Sequence, residues 1–157
     1  MQSVTVRPAN SGDIPDMARL WYENTVLQHQ FDRRFAMLPD GQSRWMAEAS
    51  NWLNDESCLM CVAERGDEMV GYIVAWIQPG PPGMTPERLG VVTQLVMDAH
   101  GQQGGVGRLL LQPVRDWLAA HRISYVVAYV PRRQAVEQAF WRALGATEWL
   151  DALWMKL

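Results

Sequence analysis

The chain has 157 residues, of which 48% are hydrophobic, and a chain of this length can bury most of its apolar surface as one domain. Its net charge of −3 argues against a nucleic-acid-binding protein, and no apolar run approaches the roughly 20 residues that span a bilayer. We therefore expect one domain over residues 1–157 that binds neither nucleic acid nor membrane. We expect it to be cytoplasmic, because the first residues lack the pattern of a secretion signal.

The first third of the chain predicts a strand and two helices. Val4 to Arg7 alternates apolar and polar residues, as a strand does, while Asp13 as N-cap with Pro15 in the first turn is typical of a helix start. The pattern of this helix blurs after Val26, and a second helix is predicted after Gly41. The apolar faces of the two helices are Ile14, Met17, Ala18 and Trp21 in the first, and Trp45, Met46, Ala49, Trp52 and Leu53 in the second.

The middle of the chain predicts three strands. Cys58 to Glu64 and Met69 to Ile77 flank a short turn and form a hairpin, so the sheet is antiparallel here. Gln78 to Glu87 is rich in proline and forms a loop before the next strand, Val91 to Met97.

The two cysteines are spaced as C-x-x-C, a spacing that redox and zinc sites also use. Cys58 and Cys61 lie on a predicted strand, where side chains three residues apart point to opposite faces. No second cysteine pair or histidine cluster completes a metal site. We therefore expect two reduced thiols and no bound metal.

The last third predicts two helices and further strands. An amphipathic helix runs from Val106 to His121, and Ser124 to Val130 is almost wholly apolar, which predicts a buried strand. A helix from Gln134 to Leu144 ends at Gly145. Two short closing strands are predicted, Ala146 to Leu150 and Leu153 to Leu157.

The segment Gln102-Gln103-Gly104-Gly105-Val106-Gly107 turns from a strand into a helix, which leaves backbone N–H groups free at the positive end of the helix dipole. A dinucleotide fingerprint would need glycine at position 110, which is leucine, and a Walker A loop would need a lysine that the turn lacks. The pattern Q/R-x-x-G-x-G/A is met by Gln102, Gly105 and Gly107. The alternative is a turn that only connects the strand to the helix, and such a turn would need one glycine rather than four.

With this turn and this order of elements, the chain resembles the GNAT superfamily of acyl-CoA-dependent N-acetyltransferases over nearly its whole length. The resemblance implies a mixed α/β fold of the α+β kind. Its central sheet would be largely antiparallel, with about seven strands flanked by about four helices, and splayed at the strand that holds the cofactor.

The resemblance also implies a binding site for acetyl-CoA. The turn amides would hold the diphosphate, and glycine at 105 and 107 would let the phosphates approach closely. The strand before the turn would offer its backbone to the pantetheine arm and to the thioester carbonyl. The implied cofactor-binding residues are Leu95, Val96, Met97, Gln102, Gln103, Gly104, Gly105, Val106, Gly107, Arg108, Gln134 and Trp141.

The chain departs from the family pattern where catalysis needs proton transfer. Many relatives carry a carboxylate on the strand before the turn, but residues 91–94 contain none, so the base stays open between Glu87, Asp98, another group and selection of the neutral amine. Relatives often carry a tyrosine at the position of Trp141, whose indole cannot surrender its proton. Tyr129 is the candidate proton donor, with Tyr125 deeper on the same face, although both are more often core residues.

Other charged residues are weaker candidates. Glu23, His29 and Asp32 would line the entrance for a cationic acceptor, unless they belong to a solvated helix face. Three arginines are candidates for the nucleotide phosphates, namely Arg132, Arg133 and Arg142.

The function expected from these observations is acetyl transfer from acetyl-CoA to a primary amine of a small molecule or peptide, by direct attack in a ternary complex. The alternative is a non-catalytic acyl-CoA-binding or regulatory domain, because the usual carboxylate and tyrosine are missing. A homodimer is expected by family habit, with the closing strand Leu153 to Leu157 as a possible contributor.

Overall fold

The structure is a computed structural model that describes residues 2–99 and 101–157. Its strands are β1 Val4–Pro8, β2 Cys58–Arg65, β3 Glu68–Pro79, β4 Arg88–Met97 and β5 Val126–Ala128. Its α-helices are α1 Ile14–Phe31, α2 Gly41–Trp52, α3 Val106–Ala120 and α4 Ala135–Ala143. Short 3-10 turns at Ser11–Asp13 and Gly101–Gln103 precede α1 and α3.

The strands form one sheet in the order β1-β2-β3-β4-β5. All neighbouring strands are antiparallel except β4 and β5, which are parallel. Parallel neighbours need a crossover connection, and α3 supplies it. The expected mixed, largely antiparallel sheet with four helices is confirmed.

The sheet carries a hydrophobic core on each face. The core on one face includes Leu110 and Val114 of α3 and Trp141 of α4. The core on the other face includes Met17 of α1 and Trp45 of α2. The strands contribute side chains to both cores, because successive side chains on a strand point to opposite faces of the sheet.

The two cysteines follow this alternation. Cys61 belongs to the core under α3 and α4, whereas Cys58 packs against the core under α1 and α2. Both thiols are free. Burial raises the pKa of Cys58 to about 12 and that of Cys61 to about 11, so both are protonated at neutral pH. The prediction that they face opposite sides is confirmed.

An ion-pair cluster joins β1, β2 and the start of α1. The Arg7 guanidinium donates to both carboxylate oxygens of Asp13 at 2.8 Å, and its Nη2 donates to Glu64 at 2.6 Å. Asp13 is the N-cap residue of α1, as predicted, but its carboxylate makes no capping bond to the helix and is held by Arg7 and by the N–H of Asn10. The hydrogen bonds from Arg7 hold the pKa of Asp13 below its ordinary value.

The helix α1 runs to Phe31, beyond the point at which its apolar pattern fades. Two predictions about elements were wrong. The expected buried strand Ser124 to Val130 is reduced to the three residues of β5, and its tyrosines are largely exposed. The expected closing strands Ala146 to Leu150 and Leu153 to Leu157 have no regular structure, which gives five strands rather than about seven. A strand needs a partner, and the three-residue β5 offers these segments little to pair with.

Candidate functional site

The sheet opens between β4 and β5. The two strands pair from Gly90 with Val126 to Val92 with Ala128, and the last bond runs from the Tyr129 N–H to the Val92 carbonyl at 3.2 Å. On its other side β4 stays paired with β3 as far as Met97. The backbone of residues 93–97 therefore has an open edge on the β5 side, as the splayed sheet of the resemblance requires.

A β-bulge marks the point of separation. Gln94 pairs with Val74 and Val92 pairs with Ala75, so Thr93 has no opposite residue on β3. A bulge bends its strand and increases the local twist. It therefore accounts for the departure of β4 from β5 directly after Val92.

Gln94 follows the bulge and has a structural partner. The buried Tyr72 hydroxyl donates to its Oε1 at 2.7 Å. Burial raises the pKa of Tyr72 well above its ordinary value, so this hydroxyl keeps its proton and the bond is permanent at working pH.

Three sequence-predicted residues lie on the open segment. The side chains of Leu95 and Met97 pack toward the core under α3, and that of Val96 belongs to the opposite core. Side chains that leave the sheet on its two faces leave the backbone in its plane. The groups that these residues present to the gap are therefore N–H and C=O groups.

The glycine turn follows β4 directly and presents free amides. Arg108 and Leu109 both donate to the Gly105 carbonyl, at 3.1 and 3.2 Å. Among residues 2–99, 101, 102 and 104–157, no acceptor is bonded to the N–H groups of Gly105, Val106 and Gly107. They lie at the N-terminus of α3, where the helix dipole is positive, so the turn suits an anion.

The two motif glycines are needed for different reasons. Gly105 has φ of +71°, a left-handed conformation that favours glycine. Gly107 has an ordinary conformation, but a Cβ there would lie 3.0 Å from the Phe140 ring of α4. The bare side of Gly107 therefore serves the packing of α4 against α3.

The remaining turn residues differ in exposure. Gln102 and Arg108 are exposed, Gly104 is exposed, and Val106 is buried beneath the turn. Gln103 closes the 3-10 turn, and its side chain lies outside the described residues. The Gly101 N–H donates to the Asp98 carboxylate, which fixes the start of the turn.

The two predicted cofactor contacts at α4 differ in burial. Gln134 precedes α4 and is half-buried, but its side chain does not cap the helix. Trp141 is 6% exposed and lines a cavity of about 220 Å³ with Leu111 and Val114 of α3. Its indole N–H has no acceptor in the described part of the chain. Trp141 thus packs against α3.

The candidate proton donor lies at the mouth of the gap. Tyr129 follows β5 at the last bond between the separating strands, and its side chain is 59% exposed. Tyr125, expected to lie deeper, is 65% exposed at the other end of β5. Tyr129 is therefore the better placed of the two, and neither is a core residue.

Both carboxylates named from the sequence as possible bases are poorly placed. Glu87 is exposed and precedes Thr93 by six positions, which is about 20 Å along an extended strand. Asp98 is held by the Gly101 N–H at the entrance of the turn.

Sequence reasoning missed a third carboxyl group, Glu137 in the first turn of α4. It is half-buried, and in the part of the chain that the structure describes it has no hydrogen-bond or ion-pair partner. Burial raises its pKa to about 7. Phe140, one turn later on the same face, contacts the start of α3 beside Met97. The spacing of three residues between Glu137 and Phe140 is the sequence signal that could have placed Glu137 on the face of α4 that meets α3.

The charged residues proposed for the entrance and the nucleotide are already paired. Glu23 accepts from Arg19 at 3.2 Å and Asp32 from Arg34 at 2.7 Å. His29 bonds to the Phe35 carbonyl. The three candidate arginines also have protein partners, since Arg132 pairs with Asp151, Arg133 donates to the Phe31 carbonyl, and Arg142 pairs with Glu148.

The opened sheet, the glycine turn and the order of elements together define an acyltransferase fold. The chain belongs to the acetyltransferase (GNAT) family, whose model matches residues 20–146. The family uses acetyl-CoA, and the resemblance noted in the sequence is confirmed.

Three similar proteins illustrate the range of the family. A mycothiol acetyltransferase from Kocuria rhizophila is 27% identical over 149 residues, which cover 94% of this chain and 47% of the relative. The chain thus spans about half the length of that curated relative. A Bacillus halodurans protein crystallised as a tetramutant has a TM-score of 0.83 at 18% identity, with 98% of this chain and 99% of that one covered.

The third is a Clostridium acetobutylicum protein described as a predicted acetyltransferase, solved with acetyl-CoA. Its TM-score is 0.77 at 14% identity, covering 98% of this chain and 96% of that one. At these identities the two solved structures show a shared fold.

Within residues 2–99 and 101–157, no group of three or more His, Cys, Asp or Glu side chains is placed to hold a metal ion. In the same described ranges, no helix combines the length and the apolar character needed to cross a membrane.

Proposed function

We propose that this protein transfers the acetyl group of acetyl-CoA to a primary amine of a small molecule or peptide, by direct attack within a ternary complex. The observation that supports this most is the adjacency of two backbone features: the open edge of β4 at residues 93–97, and the free amides of Gly105, Val106 and Gly107 directly after it. The open strand edge suits an extended ligand arm that carries amide groups, and the free amides of the turn suit the diphosphate of the same ligand.

The proposed cofactor site follows from these features. The diphosphate binds at the turn, residues 102–108, and the pantetheine arm lies along Leu95, Val96 and Met97 as an added strand. A β4 N–H donates to the thioester carbonyl and stabilises the oxyanion that forms when the amine attacks. Gln134, directly before α4, is a further proposed cofactor contact, whereas Trp141 packs against α3.

Proton transfer is assigned to two residues in this proposal. The attacking nitrogen must lose a proton, and the carbon–sulfur bond must break with protonation of the leaving thiolate. Glu137 is the candidate acceptor, because it lies on the α4 face that meets the turn and its pKa is near 7. Tyr129 is the candidate donor at the mouth of the gap.

The role of Tyr129 is tested by Tyr129→Phe. We expect kcat to fall about 100-fold while the affinity for coenzyme A is unchanged, since the ring remains and the hydroxyl is lost. An unchanged kcat across the pH range would remove Tyr129 from the mechanism.

The proposed acceptor is a primary amine. Which primary amine it is will be decided by an acceptor panel. The mycothiol acetyltransferase is similar to this chain along about half of its own length, so its substrate is one member of the panel to be tested rather than an assignment. We also propose that residues 1–157 act as one domain in the cytoplasm.

A second candidate function is a non-catalytic acyl-CoA-binding domain. Two observations favour it: residues 91–94 of β4 carry no carboxylate, and the family's usual tyrosine is replaced by Trp141, which is buried against α3. Both functions require the same cofactor site and differ in turnover.

Release of free thiol from acetyl-CoA separates the two functions. The purified protein is first tested for coenzyme A binding by calorimetry and then assayed with polyamines, aminoglycosides, amino acids, peptide N-termini and the acceptor of the mycothiol acetyltransferase. Acceptor-dependent thiol release supports the enzyme. Tight cofactor binding without thiol release across the panel favours the binding domain, and failure to bind coenzyme A overturns both.

A further inference from the structure

Arg65 lies against the glycine turn. It is the last residue of β2, and its Nη2 is 3.0 Å from the position that a Cβ at Gly104 would occupy. A residue two strands away from β4 thus brings a guanidinium to the backbone of the turn. The next three residues along the turn, Gly105 to Gly107, carry the free N–H groups.

The charge of Arg65 is uncompensated in the described structure. Among residues 2–99, 101, 102 and 104–157, its guanidinium has no hydrogen-bond acceptor and no carboxylate within 4.0 Å. The adjacent Glu64 is already bound by Arg7, and Glu68, which pairs with Arg65 across the hairpin, makes no ion pair with it. Asp98, the carboxylate at the entrance of the turn, accepts from the Gly101 N–H.

Other arginines do not share this situation. Arg33, Arg108, Arg115 and Arg122 also lack a partner among the described residues, but they are exposed and hydrated. Arg65 is half-buried. Removing part of the hydration of a guanidinium is costly unless an anion replaces the lost water, so a half-buried unpaired arginine points to an anionic ligand.

We infer that Arg65 binds phosphate oxygens of the coenzyme A moiety from the β2 side of the glycine turn. The inference rests on the proposed function, which supplies the ligand. Coenzyme A carries a diphosphate and a ribose 3′-phosphate, and a guanidinium forms the same paired hydrogen bonds with either. Gly104 belongs to this arrangement, because a Cβ there would lie 3.0 Å from the guanidinium nitrogen and would require it to shift by a few tenths of an ångström.

The test compares Arg65→Gln with the wild-type protein by calorimetry, using coenzyme A, 3′-dephospho-coenzyme A and pantetheine, which has no phosphate. Arg115→Gln, on the exposed side of α3, is the matched control. We expect Arg65→Gln to bind coenzyme A about 10-fold more weakly and pantetheine as well as the wild type does, with Arg115→Gln unchanged. If Arg65→Gln also weakens the binding of 3′-dephospho-coenzyme A, Arg65 contacts the diphosphate. If the two proteins bind 3′-dephospho-coenzyme A equally well, Arg65 contacts the 3′-phosphate.

Two further variants exclude a purely structural role. Arg65→Lys keeps the charge and is expected to recover part of the affinity, whereas Gly104→Ala keeps Arg65 but displaces it and is expected to weaken coenzyme A binding. Equal affinity of wild type and Arg65→Gln for coenzyme A overturns the inference, as does an equal loss for pantetheine. If the wild-type protein binds no coenzyme A, the proposed function falls with it.

Discussion

Single residues at the turn show that one sequence motif can conceal two physical requirements. Gly105 is required by its backbone, whose φ is +71°, and Gly107 by its neighbour, the Phe140 ring. A left-handed conformation costs an L-residue about 1–2 kcal/mol, and crowding a packed interface costs about 1–3 kcal/mol. The two costs are similar in size, but one of them depends on Phe140.

Gly105→Ala and Gly107→Ala are therefore expected to respond differently to Phe140→Leu. Each glycine variant lowers the free energy of unfolding by about 1–3 kcal/mol. Phe140→Leu provides room beside Gly107 and is expected to relieve part of the cost of Gly107→Ala, but none of that of Gly105→Ala. Urea denaturation of the single and double variants measures both couplings. If Phe140→Leu changes the cost of both glycine variants equally, the contact with Phe140 is not what requires glycine at 107.

Glu137 makes stability depend on pH in a direction that can be measured. Burial raises its pKa from its ordinary value of 4.5 to about 7. Below pH 4.5 the carboxyl is protonated in the folded and unfolded states alike, so its contribution is fully present. Between these values the unfolded chain ionises first, and stability falls as pH rises through the folded pKa.

Glu137→Gln removes this dependence. At pH 8 we expect the variant to be more stable than the wild type by roughly 1–3 kcal/mol, with the difference vanishing near pH 4. Urea denaturation at several pH values measures it, with the exposed Glu48→Gln as control. A constant difference across this range would contradict the raised pKa.

Elements are held in register by the Arg7 cluster, which joins β1 to β2 and to the entrance of α1. Arg7→Gln leaves Asp13 and Glu64 without their cation, and we expect a loss of about 1–3 kcal/mol at pH 7, moderated by the partial exposure of the cluster. The lowered pKa of Asp13 means that this stabilisation is present above the ordinary carboxyl pKa and is lost as pH falls through the folded value.

The variant should therefore differ most from the wild type at neutral pH and least in acid. Denaturation at pH 7 and pH 3 tests this, and Arg19→Gln, which breaks an exposed pair within α1, serves as control. Equal losses at both pH values would show that Arg7 acts through packing rather than charge.

Elements with a strong local pattern were predictable from sequence, and those that depend on distant partners were not. The hairpin of β2 and β3, the strand β4 and the helix α3 each carry their own periodicity, and all were predicted. The apolar run around β5 has the composition of a buried strand, yet whether neighbours cover it is a tertiary property. Glu137 and the guanidinium of Arg65 likewise acquire their environments from segments far along the chain.

The whole molecule leaves a large apolar surface at its C-terminal end. Leu153 is 92% exposed and Met155 77%. In addition, no described strand covers the outer edge of the short edge strand β5. Exposed apolar patches and open strand edges favour association. A homodimer formed through this segment is therefore our proposal for the oligomeric state.

Sedimentation of the whole chain tests the dimer. We expect a dimer at micromolar concentration, and we expect Leu153→Asp with Met155→Asp to shift it toward monomer, because charges in the contact would lose hydration without gaining partners. Leu109→Asp, an exposed leucine on α3, is the matched control and should leave the dimer intact. Since the segment lies beyond α4 and does not contribute to the glycine turn, coenzyme A binding should survive in the monomeric variant. A wild-type monomer at all accessible concentrations would contradict the proposal, and loss of coenzyme A binding on dissociation would show that the cofactor site depends on the second copy.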